Sequence, residues 1–353
     1  MSSQQAWTII PGDKAFASST NFTGTAPASP TASYSSGGGT INVTNITTGQ
    51  YRVDFPNLGS TVGGHVQVMN RAADLSKCKV SHWWSSGSTL QVFVNCFSWT
   101  GAPVNSVFAM NYVRRSDAPG PQAAYVWGSE PTTPSYPANP TYSWNSTGSG
   151  INIARTGTGA YSVQIVGQSL NDGTVEVTAY GGSNSYCKVG GWGGGSVLVR
   201  CFDGTTGAPA DSQFTMLYSN KSPNGTPSSS YAWVDDPFSA TPPNVIPSAS
   251  YRLGLLNVDT NPQPSVVSSP SSVEHLGTGR WRVLFPAMAS IVDNPANVKV
   301  TAYGHGAEHC KAVSWGRLSG STAFATVYCL SSSNTFVDTQ FTITYSSFAY
   351  TVG

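Results

Sequence analysis

A hairpin-sized block bounded by two cysteines occurs three times in this chain, and it limits the possible folds more than any other feature. Cys78-Lys79-Val80-x-x-Trp83 leads to a strand ending in Cys96-Phe97 and then to a strand ending in Phe108-x-x-x-Tyr112. The block returns from Cys187 to Tyr218, and again from Cys310 to Tyr345 with Cys-Lys-Ala and Cys-Leu variants. Upstream of each copy stands a Thr-Gly-x-aromatic segment, ending at Tyr51, Tyr161 and Trp281. Equivalent first cysteines lie 109 and 123 residues apart (187 − 78, 310 − 187). Solenoid units run at roughly 20–50 residues, so each copy is the size of a whole small domain.

Within each copy the two cysteines are equidistant from a turn. The midpoints fall on Gly87, inside the Gly193–Gly195 run, and between Ser319 and Gly320. Residues placed this way sit opposite each other on an antiparallel hairpin, with Cβ atoms about 4.5–5.5 Å apart. This predicts three local disulfides, Cys78–Cys96, Cys187–Cys201 and Cys310–Cys329. The alternative is three pairs of reduced core cysteines. Disulfides of this kind place a protein outside the cytosol. The chain is read as secreted and extracellular, with Met1 before Ser2 as an added start to a mature form. No apolar run approaches the roughly 18 residues of a membrane span.

Short β-branched and aromatic runs, separated by turn residues, are expected as strands near 50–55, 65–69, 79–84, 90–97 and 107–113, with counterparts in the other copies. No window shows helical periodicity. Seven or so short strands in about 110 residues predict an all-β chain of three tandem immunoglobulin-like β-sandwich domains, each with one cross-strand disulfide. The boundaries are read as 1–124, 125–230 and 231–353. The segments Tyr125-Val126-Trp127 and Tyr231-Ala232-Trp233 are read as the last strand of the preceding domain, because a further copy, Phe348-Ala349-Tyr350, comes at the end of the chain. The proline runs that follow them favour an elongated or fixed arrangement.

Charged residues make up only 9% of the chain and the net charge is +1, so no electrostatic stripe for nucleic acid or anionic lipid is expected. His305-Gly306-Ala307-Glu308-His309 matches a metalloprotease string that requires a helix. With a glycine inside it and Cys310 after it, a surface loop is the expected state, leaving His305 and His309 as a weak metal candidate. Asn105, Asp211 and Asp338 occupy matching turn positions and are expected to cap a backbone turn. No cofactor is implied.

Trp83, Trp192 and Trp315 each stand five residues after a first cysteine, and Trp84 follows the first of them. Strand alternation turns these tryptophans away from the cysteine and onto the face of Lys79, Lys188 and Lys311. Two roles are open to them, a packed core or an aromatic platform on which a sugar ring can lie. The repeat pattern, including Val-Thr-Ala-Tyr-Gly at 177–181 and 300–304, resembles a β-rich module found in tandem in secreted bacterial proteins. The resemblance covers nearly the whole chain and implies no particular activity. The first copy departs from it at Met69-Asn70-Arg71, where Thr-Ala-Tyr is expected.

The expected function is a secreted, non-enzymatic binding protein, attached to a glycan or another extracellular surface through repeated weak sites that gain avidity. The alternative is a structural or assembly protein of a coat, fibre or matrix, self-associating through its aromatic end segments. A secreted hydrolase is the third reading.

Overall fold

A computed structural model describes residues 12–19, 24–115, 122–220, 229–237, 252–253, 271–286, 296–319 and 322–347. Those residues are all-β, apart from one three-residue 3₁₀ turn at Pro140–Tyr142. The first copy supplies β1 (Gly12–Ser18), β2 (Ala32–Ser35), β3 (Asn42–Thr47), β4 (Gln50–Phe55), β5 (His65–Asn70), β6 (Lys77–Ser86), β7 (Thr89–Phe97) and β8 (Phe108–Arg115). The second supplies β9 (Ala123–Gly128), β10 (Ser135–Pro137), β11 (Ser143–Asn145), β12 (Ile151–Gly157), β13 (Ala160–Ile165), β14 (Thr174–Ala179), β15 (Tyr186–Gly193), β16 (Ser196–Phe202) and β17 (Phe214–Ser219). The third supplies β18 (Ser229–Val234), β19 (Arg252–Leu253), β20 (Ser272–Gly277), β21 (Arg280–Phe285), β22 (Ala296–Ala302), β23 (His309–Ser319), β24 (Thr322–Leu330) and β25 (Phe341–Ser347).

Each copy forms two antiparallel sheets. In the first copy their orders are β2-β1-β8-β5 and β3-β4-β7-β6, and the other two copies repeat this, with β10 added at one edge in the second. Apolar residues from both sheets of a copy meet in one cluster; in the first, Val66, Val68 and Met110 face Tyr51, Val53 and Val92. The Thr-Gly turn is rigid for a reason visible in the sequence. Gly49, Gly159 and Gly279 have φ of +74°, +63° and +67°. Their amides donate to the side chains of Asn105, Asp211 and Asp338 at 2.8, 2.9 and 2.7 Å, the capping role expected of those residues.

All three expected disulfides are present, between directly opposed residues with Cα atoms 4.1, 4.0 and 4.1 Å apart. Two expectations are corrected. The aromatic segment does not close the preceding copy: β9 pairs with β17 and β11, and β18 pairs with β25 and β19, so each begins its own sheet. Phe348-Ala349-Tyr350 lies outside the described residues.

The second correction concerns the tryptophans. The register of β6 shifts between Val80 and His82, and matching shifts lie between Val189 and Gly191 and between Ala312 and Ser314. An extra residue in one strand reverses the alternation beyond it. Trp83 therefore lies on the same side as Cys78, in the core cluster, and Lys79 lies on the other.

The copies form a closed ring, not an elongated array. The Lys79 ammonium donates to Ser183 and Ser185 of the second copy at 3.4 and 3.0 Å. Lys188 donates to the Gly306 carbonyl and to Glu308 of the third, both at 2.9 Å. Lys311 returns to the first copy, donating to Asn70 Oδ1 and the Ser76 carbonyl, each at 3.1 Å. Equivalent lysines thus reach from copy one to two, two to three and three to one, which describes a pseudo-threefold axis. The strands around it, β5, β14 and β22, are buried along their whole length because one side of each faces its own core and the other faces the ring.

Candidate functional site

The structure puts the sequence-predicted site residues in two very different places. Lys79, Lys188 and Lys311 are 4%, 1% and 3% exposed and serve as the ring contacts just described. Burial pushes the Lys79 ammonium down to about 7 and that of Lys311 to about 8, and it lowers Lys188 against the opposing pull of Glu308. Trp83 is buried; its indole N–H donates to the Gly63 carbonyl at 3.1 Å, and its ring meets Trp127, Tyr142 and Tyr180 edge-on. Trp192 meets Trp233 and Tyr303 in the same manner. Trp315 donates to the Ala296 carbonyl at 3.2 Å and carries the Arg71 guanidinium over its ring at 4.4 Å. These three rings join neighbouring copies; Trp83 is buried there, and Trp192 and Trp315 are partly buried.

Arg71 explains where the first copy departs from the repeat. It occupies the position of Tyr180 and Tyr303, and it packs on Trp315 as those tyrosines pack on Trp83 and Trp192. A cation over an indole can replace an aromatic edge at comparable energy.

Trp84 differs. The bulge that turns Trp83 inward turns Trp84 outward, and it is 49% exposed. It lies with His82 and Phe93 on the outer face of the sheet formed by β3, β4, β7 and β6. His82 stacks on Phe93 with ring centroids 4.2 Å apart, and Trp84 lies 4.8 Å from each. A polar chain borders the aromatics. The Trp84 indole N–H donates to Gln91 Oε1 at 3.0 Å, Gln91 Nε2 donates to Asp54 at 3.0 Å, and Asp54 pairs with Arg52 at 2.9 Å. Burial lowers the His82 imidazole, which is therefore neutral at pH 7.

This face exists in one copy only. The positions of His82, Trp84 and Phe93 are held by Gly191, Gly193 and Leu198 in the second copy, and by Ser314, Gly316 and Thr326 in the third. Sequence reasoning included Trp84, with His82 beside it, but missed Phe93, Gln91 and Asp54. Their cross-strand register, His82 opposite Phe93 and Trp84 opposite Gln91, depends on the bulge.

The His-x-x-Glu-His string is split between tasks. Glu308 pairs with Lys188, His309 packs against Tyr186 with centroids 5.3 Å apart, and His305 is exposed. Among the described residues, no three His, Cys, Asp or Glu side chains converge as a metal site. Nor is any helix among them long and apolar enough to cross a membrane. No protein-family model, curated protein or solved structure matches this chain.

Proposed function

We propose that the chain is a secreted, non-enzymatic protein of three tandem immunoglobulin-like sandwich domains that attaches to a glycan through the outer face of its first domain. The observation that carries this reading is the half-exposed Trp84 ring set beside Phe93 and His82, with Gln91, Asp54 and Arg52 along its border. A flat aromatic surface covers the apolar face of a sugar while amide and carboxylate groups take its hydroxyls. One such face replaces the three equivalent weak sites expected from the sequence, and the other two domains then hold it in a rigid frame. Self-assembly through the aromatic opening segments has less support, because β9 and β18 already have a neighbour on both sides.

The test is a glycan array, followed by sedimentation with insoluble polysaccharides. The wild-type chain is expected to bind a defined set of glycans, and Trp84→Ala and Phe93→Ala to weaken binding at least tenfold. Trp99→Ala, at an exposed position outside the sheet face, serves as the control and should bind like wild type. Equal binding by Trp84→Ala and wild type would remove the proposal.

A further inference from the structure

A cavity of roughly 80 Å³ lies where the three copies meet, and five lysines line it: Lys77, Lys79, Lys188, Lys299 and Lys311. No aspartate or glutamate is among its lining residues. The acids nearby are already engaged or stand behind the wall. Glu308 pairs with Lys188 at 2.9 Å and Asp74 lies 3.7 Å from Lys311. Glu176 acts on Lys299 and Asp203 on Lys77 through space. Among the described residues, Lys77 and Lys79 have no carboxylate within ion-pair distance. Lys77 donates to the Gly204 carbonyl and Asn334 Oδ1 at 3.2 and 3.4 Å, and Lys79 to the two serine hydroxyls. Neutral acceptors leave most of the charge on an ammonium uncompensated.

A second feature points into the same space. Lys77, Tyr186 and His309 are equivalent residues, each directly preceding a first cysteine, and they gather near the axis. The Lys77 ammonium lies 5.4 Å from the centre of the Tyr186 ring, which in turn packs on His309. Both ring nitrogens of His309 are buried, and neither has a hydrogen-bond partner among the described residues. Burial and the three surrounding lysines hold the imidazole neutral, so it carries one N–H donor as well as one acceptor. A cavity needs only roughly 10–15 Å³ to hold one water, so this one has room for a small ion.

We propose that the axial cavity binds a small oxyanion of the phosphate or sulfate type, held by the ammonium groups of Lys77 and Lys79 and by the ring N–H of His309. A compact tetrahedral anion accepts from several donors at once, which suits donors that converge from different copies. Such an ion would also link the copies, so its binding should stabilise the ring by mass action.

The experiment is thermal unfolding of the full chain at neutral pH and matched ionic strength, in sodium chloride, sodium sulfate or sodium phosphate. In parallel, the ¹⁵N resonances of the His309 ring are followed. A saturable rise in Tm with sulfate or phosphate, absent with chloride, is expected together with a shift of the His309 resonances. Lys77→Gln, a neutral change at a partly exposed position, should weaken the apparent affinity about tenfold. An identical response to all three salts, or His309 resonances that stay fixed in wild type, would overturn the proposal even if Lys77→Gln did not fold. Because neither readout involves Trp84, failure here leaves the glycan reading standing, and the reverse also holds.

Discussion

At the scale of single residues, the copies differ at the axis, where identity would be costly. Gln67, Glu176 and Lys299 are equivalent positions on β5, β14 and β22. Three copies of any one charge there would repel without relief from water. The chain places one neutral amide, one acid and one base instead. Gln67 donates to the Glu176 and Thr215 carbonyls at 3.3 and 3.2 Å, while Lys299 donates to the Gln67 and Ala109 carbonyls. Removing one member of a buried pair leaves an uncompensated charge, so each residue of this set constrains the others. The lysines have a consequence for pH. Burial lowers Lys79 and Lys299 to about 7, and Lys77 and Lys311 to about 8, from 10.5. Between pH 7 and 10 the unfolded chain therefore holds more protons than the native one, and stability rises with pH. Below about pH 7 the native lysines are protonated as well and this slope fades. Above about pH 10 burial keeps Tyr112, Tyr161, Tyr186 and Tyr345 protonated in the native state alone, and the slope reverses. Urea unfolding across pH 6–11 should show a maximum between about 9 and 10. A profile that falls steadily from pH 7 would refute the buried lysines.

At the scale of elements, the hairpin and its turn were the legible part. The cysteine pairs could be read because both partners belong to one hairpin, and the caps because Asn105, Asp211 and Asp338 recur at one position. The opening strand could not be assigned. Tyr125-Val126-Trp127 has the same pattern whether it joins the copy before it or the copy after it, and only its pairing with β17 decides. The bulge was equally hidden. One unpaired residue near position 81 changed the side to which Trp83 and Trp84 point relative to Cys78 and Lys79, and strand alternation carries no trace of it. The Thr-Gly turn yields a direct test. A methyl group on Gly159 would stand 2.3 Å from the Cys201 carbonyl oxygen and 2.8 Å from the Ala210 nitrogen, whereas one on Gly148 would meet nothing within 4 Å. Both glycines have positive φ, +63° and +75°, so both alanine variants bear a backbone cost of roughly 1–2 kcal/mol. Gly159→Ala should lose clearly more, because backbone atoms of the disulfide strand must move. Equal losses in urea denaturation would show that the turn is not packed as described.

At the scale of the whole molecule, one chain does the work of a trimer, and its three interfaces are not alike. The first joins Trp83 to Trp127, Tyr142 and Tyr180, and the second joins Trp192 to Trp233 and Tyr303. The third is closed by Arg71 over Trp315, with Arg71 also reaching Ser18, the counterpart of Trp127 and Trp233. Thr215 and Thr342 donate to the Val66 and Val175 carbonyls at 2.7 and 2.8 Å, but the matching position in the first copy is Ala109, and there Lys299 and Asn297 make the contacts. The sequence held one visible sign of this seam, Met69-Asn70-Arg71. Its meaning depended on residues more than 200 positions away, a separation that periodicity and turn chemistry do not reach. The closed ring is the claim on which the axial cavity and the single exposed aromatic face both depend, and small-angle X-ray scattering tests it most directly. A compact chain of this length has a radius of gyration of about 20 Å, and three units in a line would exceed about 30 Å. A value of about 20–22 Å at low concentration is predicted. A value near 30 Å, with an extended distance distribution, would contradict the ring.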